Sequence, residues 1–219
     1  MAGQVYAGDR RIDKPGTLIP TSTLLTVRGS AHPWVSRGGI KLAHGLDHFG
    51  FTPAGRICID IGASTGGFTD VLLSRGAALV HTVDVGHGQL AWKLRRDPRV
   101  IVHEKTNART LDSSLIAEPV QSLVCDASFI GLRTVLPASL ALCTGGAFAV
   151  ALIKPQFEAG RQHVGKGGVV REPAVKQEVV AVIKAWWQSL PGWRVIGVTE
   201  SPITGPEGNV EFLIGAVHE

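Results

Sequence analysis

The chain has 219 residues, 44% of them apolar and 18% charged, with 27 glycines. That composition excludes a disordered chain, and the length suits one medium domain, or one domain with a small appendage. Its 22 Lys+Arg against 18 Asp+Glu leave +4, a mild basicity that permits a nucleic-acid partner without demanding one.

In chain order, residues 1–30 read as short strands split by turn signals at Gly8-Asp9, Pro15-Gly16 and Pro20. Val5-Tyr6 and 24–27 are expected to pair, as a β extension too small to stand alone. From Ser36, the residues Ile40, Leu42, Ala43, Leu46 and Phe49 fall near helical spacing and end on Gly50, a C-cap. Strand and helix then alternate. Strands are predicted over 56–61, 78–83, 100–103, 120–125 and 147–153, and helices over 66–75, 90–95, 132–142 and 174–190, the last just after Pro173. Two more strands, 193–198 and 210–217, are joined by "TESPITGPEGN". With no crossover helix between them they are expected to be antiparallel. Continuously apolar strands alternating with helices predict an α/β fold, a parallel sheet covered on both faces.

The longest apolar run, around 146–153, is far too short to cross a bilayer, and no secretion signal is read at the N-terminus. Cys58, Cys125 and Cys143 each lie in an apolar stretch and read as buried thiols of a reducing compartment. His81, His87 and His103 lack metal-ligand spacing, so no metal is assigned.

The most specific segment is "CIDIGASTGGFTD", 58–70: a strand, a Gly/Ser/Thr loop, then a helix. Doubly wound sheets bind ligands at this edge, the carboxyl ends of the strands. A dinucleotide fingerprint needs G-x-G-x-x-G, and here the three positions are Gly62, Ser64 and Gly67. The missing middle glycine weighs against a pyrophosphate. Asp84, ending the next strand, stands where an acidic ribose-binding residue belongs. A ribose-containing cofactor without pyrophosphate points to S-adenosylmethionine. "GRQHVGKG", 160–167, mimics a P-loop, but the next step of that motif needs Ser or Thr after the lysine, and Gly167 stands there. It reads as a mobile glycine-hinged loop near the active site.

Four charged residues sit beside apolar segments: Lys41 in the first helix, Asp126 and Lys154 at strand ends, and Glu211 opening the last strand. Any one alone reads as a solvated charge at an element end. Asp126 and Lys154 share the edge of the glycine loop, and a partly desolvated lysine can offer a neutral amine as a base.

With "VSRGGIKLAHGLDHF", "DIGASTGGFTD", "VDVGHGQL", "EKTNAR", "VCDASFIGL", "LIKPQFEAGR", "VGKGGVVR" and "ITGPEGNVEF" together, nearly the whole chain resembles the FtsJ-like ribosomal RNA 2′-O-methyltransferases. Within them it resembles the TlyA family, often called hemolysin A. The resemblance implies a Rossmann-like, doubly wound methyltransferase sheet of about seven strands, the last antiparallel, with the short N-terminal β extension. It implies a catalytic Lys-Asp-Lys-Glu tetrad at Lys41, Asp126, Lys154 and Glu211. It implies S-adenosyl-L-methionine contacts at Asp60, Gly62, Ser64, Gly66, Gly67, Phe68, Asp84, Val85 and Asn107. The family opens with an S-four-like RNA-binding domain. Residues 1–30 are expected to be part of one, 31–35 a linker and 36–219 the methyltransferase domain.

The implied reaction is in-line attack of a ribose 2′-hydroxyl, expected to be a cytidine's in ribosomal RNA, on a sulfonium methyl. Lys154 is the expected base, poised by Asp126, with Lys41 and Glu211 orienting the ribose. Phosphate contacts are expected from Arg37, Lys41, Arg133, Arg161, Lys166 and Arg171. The expected partner is ribosomal RNA or a ribosomal subunit, in the cytoplasm, with neither membrane nor metal. Three readings compete: a nicotinamide dehydrogenase, a membrane-active hemolysin-like protein, and an RNA module that binds cofactor without turnover. Trp34 and Trp92 either shield cofactor, stack a base or pack structurally.

Overall fold

The computed structural model describes residues 5–12, 16–27 and 32–219. The chain divides into two compact units, Met1–Pro33 and Trp34–Glu219. The first holds a three-stranded antiparallel sheet of β1 (Val5–Ala7), β2 (Arg10–Arg11) and β3 (Leu25–Val27), in the order β2-β1-β3. Gly8-Asp9 turns β1 into β2, and Val5 pairs with Val27, as the sequence predicts. The Pro15 half of the second expected turn and the start of the linker lie outside the described residues.

The second unit begins with α1 (Gly38–Phe49), which ends on Gly50 in the left-handed conformation. There follow β4 (Ile57–Ile61), α2 (Gly67–Ser74), β5 (Leu79–Val83), α3 (Trp92–Arg95), β6 (Val100–His103), β7 (Val120–Cys125), α4 (Leu132–Val135) and α5 (Pro137–Leu140). The chain continues through β8 (Cys143–Ile153), α6 (Pro155–Glu158), α7 (Pro173–Gln188), β9 (Trp193–Glu200) and β10 (Phe212–His218). The single helix expected over 132–142 is two. Proline lacks the amide hydrogen that would continue the first, and Pro137 instead opens the second. The helix expected over 90–95 shrinks to one turn.

The seven strands run in the order β6-β5-β4-β7-β8-β10-β9. Neighbours from β6 to β8 are parallel, and β10 is antiparallel to both β8 and β9. This is a Rossmann-like doubly wound sheet closed by an antiparallel hairpin. One face packs Leu42 and Leu46 of α1 and Val71 and Leu72 of α2 over Cys58, Val124, Phe148, Val150, Leu152 and Leu213. The other packs Leu132, Leu140, Val179, Ile183 and Trp187 over Ile59, Ile61, Leu123, Cys125, Ala149, Ala151 and Ile153. Trp187 is fully buried there, and Trp193 is buried beside it. Because both faces are covered, the strands are apolar at nearly every position. The three cysteines are free and buried, and burial pushes their thiols up, to about 11 for Cys58 and about 12 for Cys125 and Cys143. Among the described residues no helix is long and apolar enough to cross a membrane.

Candidate active site

Strand alternation decides which side chains meet. Successive residues point to opposite faces of a sheet. Asp126 shares parity with Val124, Lys154 with Leu152, and Glu211 with Leu213, all on the face under α1 and α2. β7 and β8 bring Asp126 and Lys154 to the sheet's carboxyl edge. Because β10 runs the other way, its start, and Glu211 with it, lies at that same edge. α1 lowers Lys41 onto the group. All four residues line one cavity of about 620 Å³.

Two ion pairs result. Lys41 Nζ lies 2.6 Å from Glu211 Oε2, both side chains buried. Lys154 Nζ lies 2.6 Å from Asp126 Oδ1 and also donates to the Asp126 carbonyl at 3.1 Å and to Ser128 Oγ at 2.8 Å. Two hydrogen-bond acceptors and one ion-pair oxygen hold one side-chain nitrogen, so its position is set before any substrate arrives. The start of α1 closes on the second pair: a Cβ on Gly38 would sit 3.7 Å from Asp126 Oδ2.

The glycine loop forms the floor. Gly62 has φ +77°, and a Cβ there would come within 2.8 Å of the Ala127 backbone, so only glycine lets β4 leave the sheet beside β7. Ser64, at the position of the missing middle glycine, nonetheless takes φ 48°. Its amide donates to Asp84 Oδ2 at 2.8 Å, and the other Asp84 oxygen accepts from the Gly86 amide at 2.7 Å. Asp84 thereby ties the glycine loop to the β5 turn and still has lone pairs free on both oxygens.

A second cavity, about 400 Å³, opens on the far side of this loop. Asp84, Val85, Asn107, Ile130 and Val135 line it, and it shares Gly62, Ser64, Asp126, Ser128 and Phe129 with the first. Asn107 Oδ1 accepts from the Arg109 amide, which leaves its amide donors available. The paired cavities therefore offer acceptor, donor and apolar wall on one side, and two lysine–carboxylate pairs on the other.

The expected cofactor contacts divide accordingly. Gly62 and Ser64 line both cavities, Asp84, Val85 and Asn107 the smaller, Gly67 and Phe68 the larger. Asp60 and Gly66 line neither. Asp60 shares parity with Cys58, so it points under α2, is fully buried and accepts from Thr69 Oγ1 at 2.6 Å. Burial raises its carboxyl to about 7, with the nearby Asp126 and Asp84 charges adding to the rise against the Thr69 hydrogen bond. Gly66 is packed against Leu94 and Leu90, where a Cβ would collide. Both support the loop from beneath.

The expected cationic contacts also divide. Lys41 is buried in its pair, and Arg37 donates to the Thr204 carbonyl, so both are engaged within the protein. Arg133, Arg161, Lys166 and Arg171 are exposed. Trp34 packs on Gly39, and Trp92 is exposed with Arg96 over its ring, and neither lines a cavity. Sequence reasoning missed Ser128, Gln156 and Phe129. Phe129 is 90% exposed, has φ 65° and lies tilted beside Phe157, ring centroids 5.1 Å apart. A left-handed phenylalanine is uncommon enough to flag function, but φ is not written in the sequence.

Comparison with known proteins bears on the chain as a whole. The FtsJ-like methyltransferase family model matches residues 34–217. The 16S/23S rRNA (cytidine-2′-O)-methyltransferase TlyA of Mycobacterium tuberculosis is 50% identical over 216 residues, covering 96% of this chain and 80% of that protein. Hemolysin A of Brachyspira hyodysenteriae is 42% identical over 183 residues, 82% of this chain and 75% of that one. A solved structure from Streptococcus thermophilus superimposes with a TM-score of 0.86 at 44% identity, covering 100% of this chain and 80% of the other.

Proposed function

The chain belongs to the FtsJ-like methyltransferase family, in its TlyA branch, and from that premise we propose that it methylates the 2′-hydroxyl of a cytidine ribose in ribosomal RNA with S-adenosylmethionine. The observation that carries the reading is the meeting of two lysine–carboxylate pairs, one buried and one partly buried, in a cavity that shares its wall with a second, nucleoside-sized one.

The smaller cavity fits the adenosine part of the cofactor. Asp84 would accept from the ribose hydroxyls, Asn107 would donate, and Val85, Ile130 and Val135 would flank the base. Gly62 and Ser64 form the neck toward the larger cavity, where Gly67 and Phe68 continue the wall. When bound, the cofactor supplies an electrophilic methyl on a sulfonium centre.

Lys154 acts as general base. Asp126 Oδ1 lies 2.6 Å from its Nζ and holds it at the cavity wall. In its amine form Lys154 takes the hydroxyl proton, and Asp126 steadies the resulting ammonium. Lys41 and Glu211 orient the ribose, since their pair is already fixed and needs no reorganisation. Exposed Arg133, Arg161, Lys166 and Arg171 hold phosphates, and binding falls steeply with salt. Phe129 offers a ring face to a base at the rim. The small sheet of residues 5–27 is read as part of an S-four-like RNA-binding domain. Residues 31–35 are read as its linker and 36–219 as the methyltransferase domain, with the reaction in the cytoplasm.

The test is tritiated methyl transfer from S-adenosylmethionine to purified ribosomal subunits, with nuclease digestion to identify the product. 2′-O-methylcytidine is expected. Label no higher than with the Lys154→Ala chain overturns the reading. Calorimetric cofactor binding without transfer would instead indicate a binding module.

A further inference from the structure

We propose that Asn209 is a positioning residue that clamps the glycine loop 164–170 against the loop leading into β10, and so presents Lys166 to the RNA backbone at the mouth of the larger cavity. The proposal rests on the RNA-methylating reading above.

Asn209 is polar yet only 1% exposed. Its Oδ1 accepts from the Val170 amide at 3.0 Å, and its Nδ2 donates to the Gly168 carbonyl at 2.9 Å. Its own carbonyl accepts from the Gly205 amide at 2.8 Å. One side chain thus satisfies a donor and an acceptor of a segment about forty positions away, while its backbone closes the turn before Glu211. Only a carboxamide does both: aspartate would set a second oxygen against the Gly168 carbonyl, and alanine would leave both groups unmet.

The clamped segment needs a clamp. Gly167 and Gly168 have φ +80° and +76°, and nothing lies within 4 Å of a Cβ at either, so they serve backbone conformation and not packing. Besides Asn209, the turn is held by backbone bonds between Gly165 and Val169 and between Gly168 and Gly165. Val164, Gly167 and Gly168 of this loop and Pro206, Glu207 and Glu211 of the approach to β10 all line the larger cavity. Asn209 joins those two segments. Lys166, exposed at the tip, takes its place from that junction. Without the clamp the loop must be ordered when RNA binds, a cost that falls on RNA affinity and leaves the cofactor cavity untouched.

The experiment compares Asn209→Ala and Asn209→Asp with the parent chain, alone and with Lys166→Ala. Expected are faster amide exchange confined to 164–170, a rise in RNA KM of about tenfold with kcat changed less than twofold, and cofactor affinity within twofold. Lys166→Ala should raise KM in the parent but add little in the Asn209→Ala background, because an unplaced lysine has little left to lose. Unchanged exchange over 164–170, additive effects of the two substitutions, or a parallel fall in cofactor affinity would each overturn the clamp. Absence of methyl transfer by the parent chain would overturn the proposed function instead, and exchange would still decide the clamp.

Discussion

Lys41 Nζ and Glu211 Oε2 lie 2.6 Å apart, although the residues are 170 positions apart and neither side chain is more than 7% exposed. Removing one partner of a buried pair strands the other charge. Glu211→Gln and Lys41→Met should each destabilise the fold by about 3–5 kcal/mol. The double substitution Lys41→Met with Glu211→Leu should recover most of that loss, because an apolar pair of similar volume needs no desolvation. Turnover should stay lost in all three. Urea unfolding beside a methyl-transfer assay checks this, and a double variant with turnover would remove the pair from the mechanism.

Lys154 differs in consequence. Its Nζ is tied to Asp126 and Ser128 at the cavity wall, and Asp126 is partly exposed. Lys154→Ala should lower kcat by about 10²–10⁴-fold, the usual contribution of a positioned base, while cofactor affinity by calorimetry stays within threefold. Ser128→Ala removes one of two hydrogen-bond acceptors and leaves the ion pair, so it should cost far less. Loss of cofactor binding together with turnover would show that Lys154 shapes the cavity and is not the base.

How far such assignments are legible in sequence depends on the residue. The strands of the second unit announce themselves as apolar runs, and the antiparallel β10 follows from the short connection before it. The face each strand presents is hidden, because a sheet covered on both sides shows no alternation. Asp60 and Asp126 both lie at the carboxyl end of an apolar strand and share a face, yet Asp60 is sealed beneath Thr69 and Asp126 opens to the cavity. Asp60 pairs in register with Val124, so Asp126 lies two residues further toward the edge, beyond the cover that α2 gives Asp60. Asn209 is hidden for the opposite reason: a polar residue in a polar loop carries no sign that it is buried. Pro137 is legible and divides the helix over 132–142.

Asp60 gives a pH prediction. In the folded chain burial raises its carboxyl from 3.8 to about 7. Between those values the folded state holds a proton that the unfolded state has released, so stability falls as pH rises through that window and levels off above about 7. Asp60→Asn keeps an acceptor for Thr69 and cannot ionise, so its stability relative to the parent should climb over the same window, by up to roughly 4 kcal/mol. His81 and His103, held below their ordinary values chiefly by burial, act in the other direction in acid. The parent–variant difference cancels them. Urea unfolding at pH 5, 6, 7 and 8 checks the slope, and a flat difference would show that Asp60 ionises freely in the fold.

Phe129 should separate stability from activity. Its φ of 65° costs a non-glycine residue about 1–2 kcal/mol, and a side chain 90% exposed recovers little of that by burial. Among the described residues the one close ring is Phe157, at 5.1 Å. Phe129→Gly relieves the backbone and should leave the fold as stable as the parent or more so, by up to about 1 kcal/mol. The same change removes the exposed ring at the wall common to both cavities. If that ring stacks a base, RNA KM or kcat should worsen by an amount worth about 1–3 kcal/mol. Phe129→Tyr, which keeps the ring, should restore activity while retaining the strain. Thermal melting and methyl transfer on the three chains test this. Unchanged RNA kinetics in Phe129→Gly would leave the strained conformation without a function in catalysis.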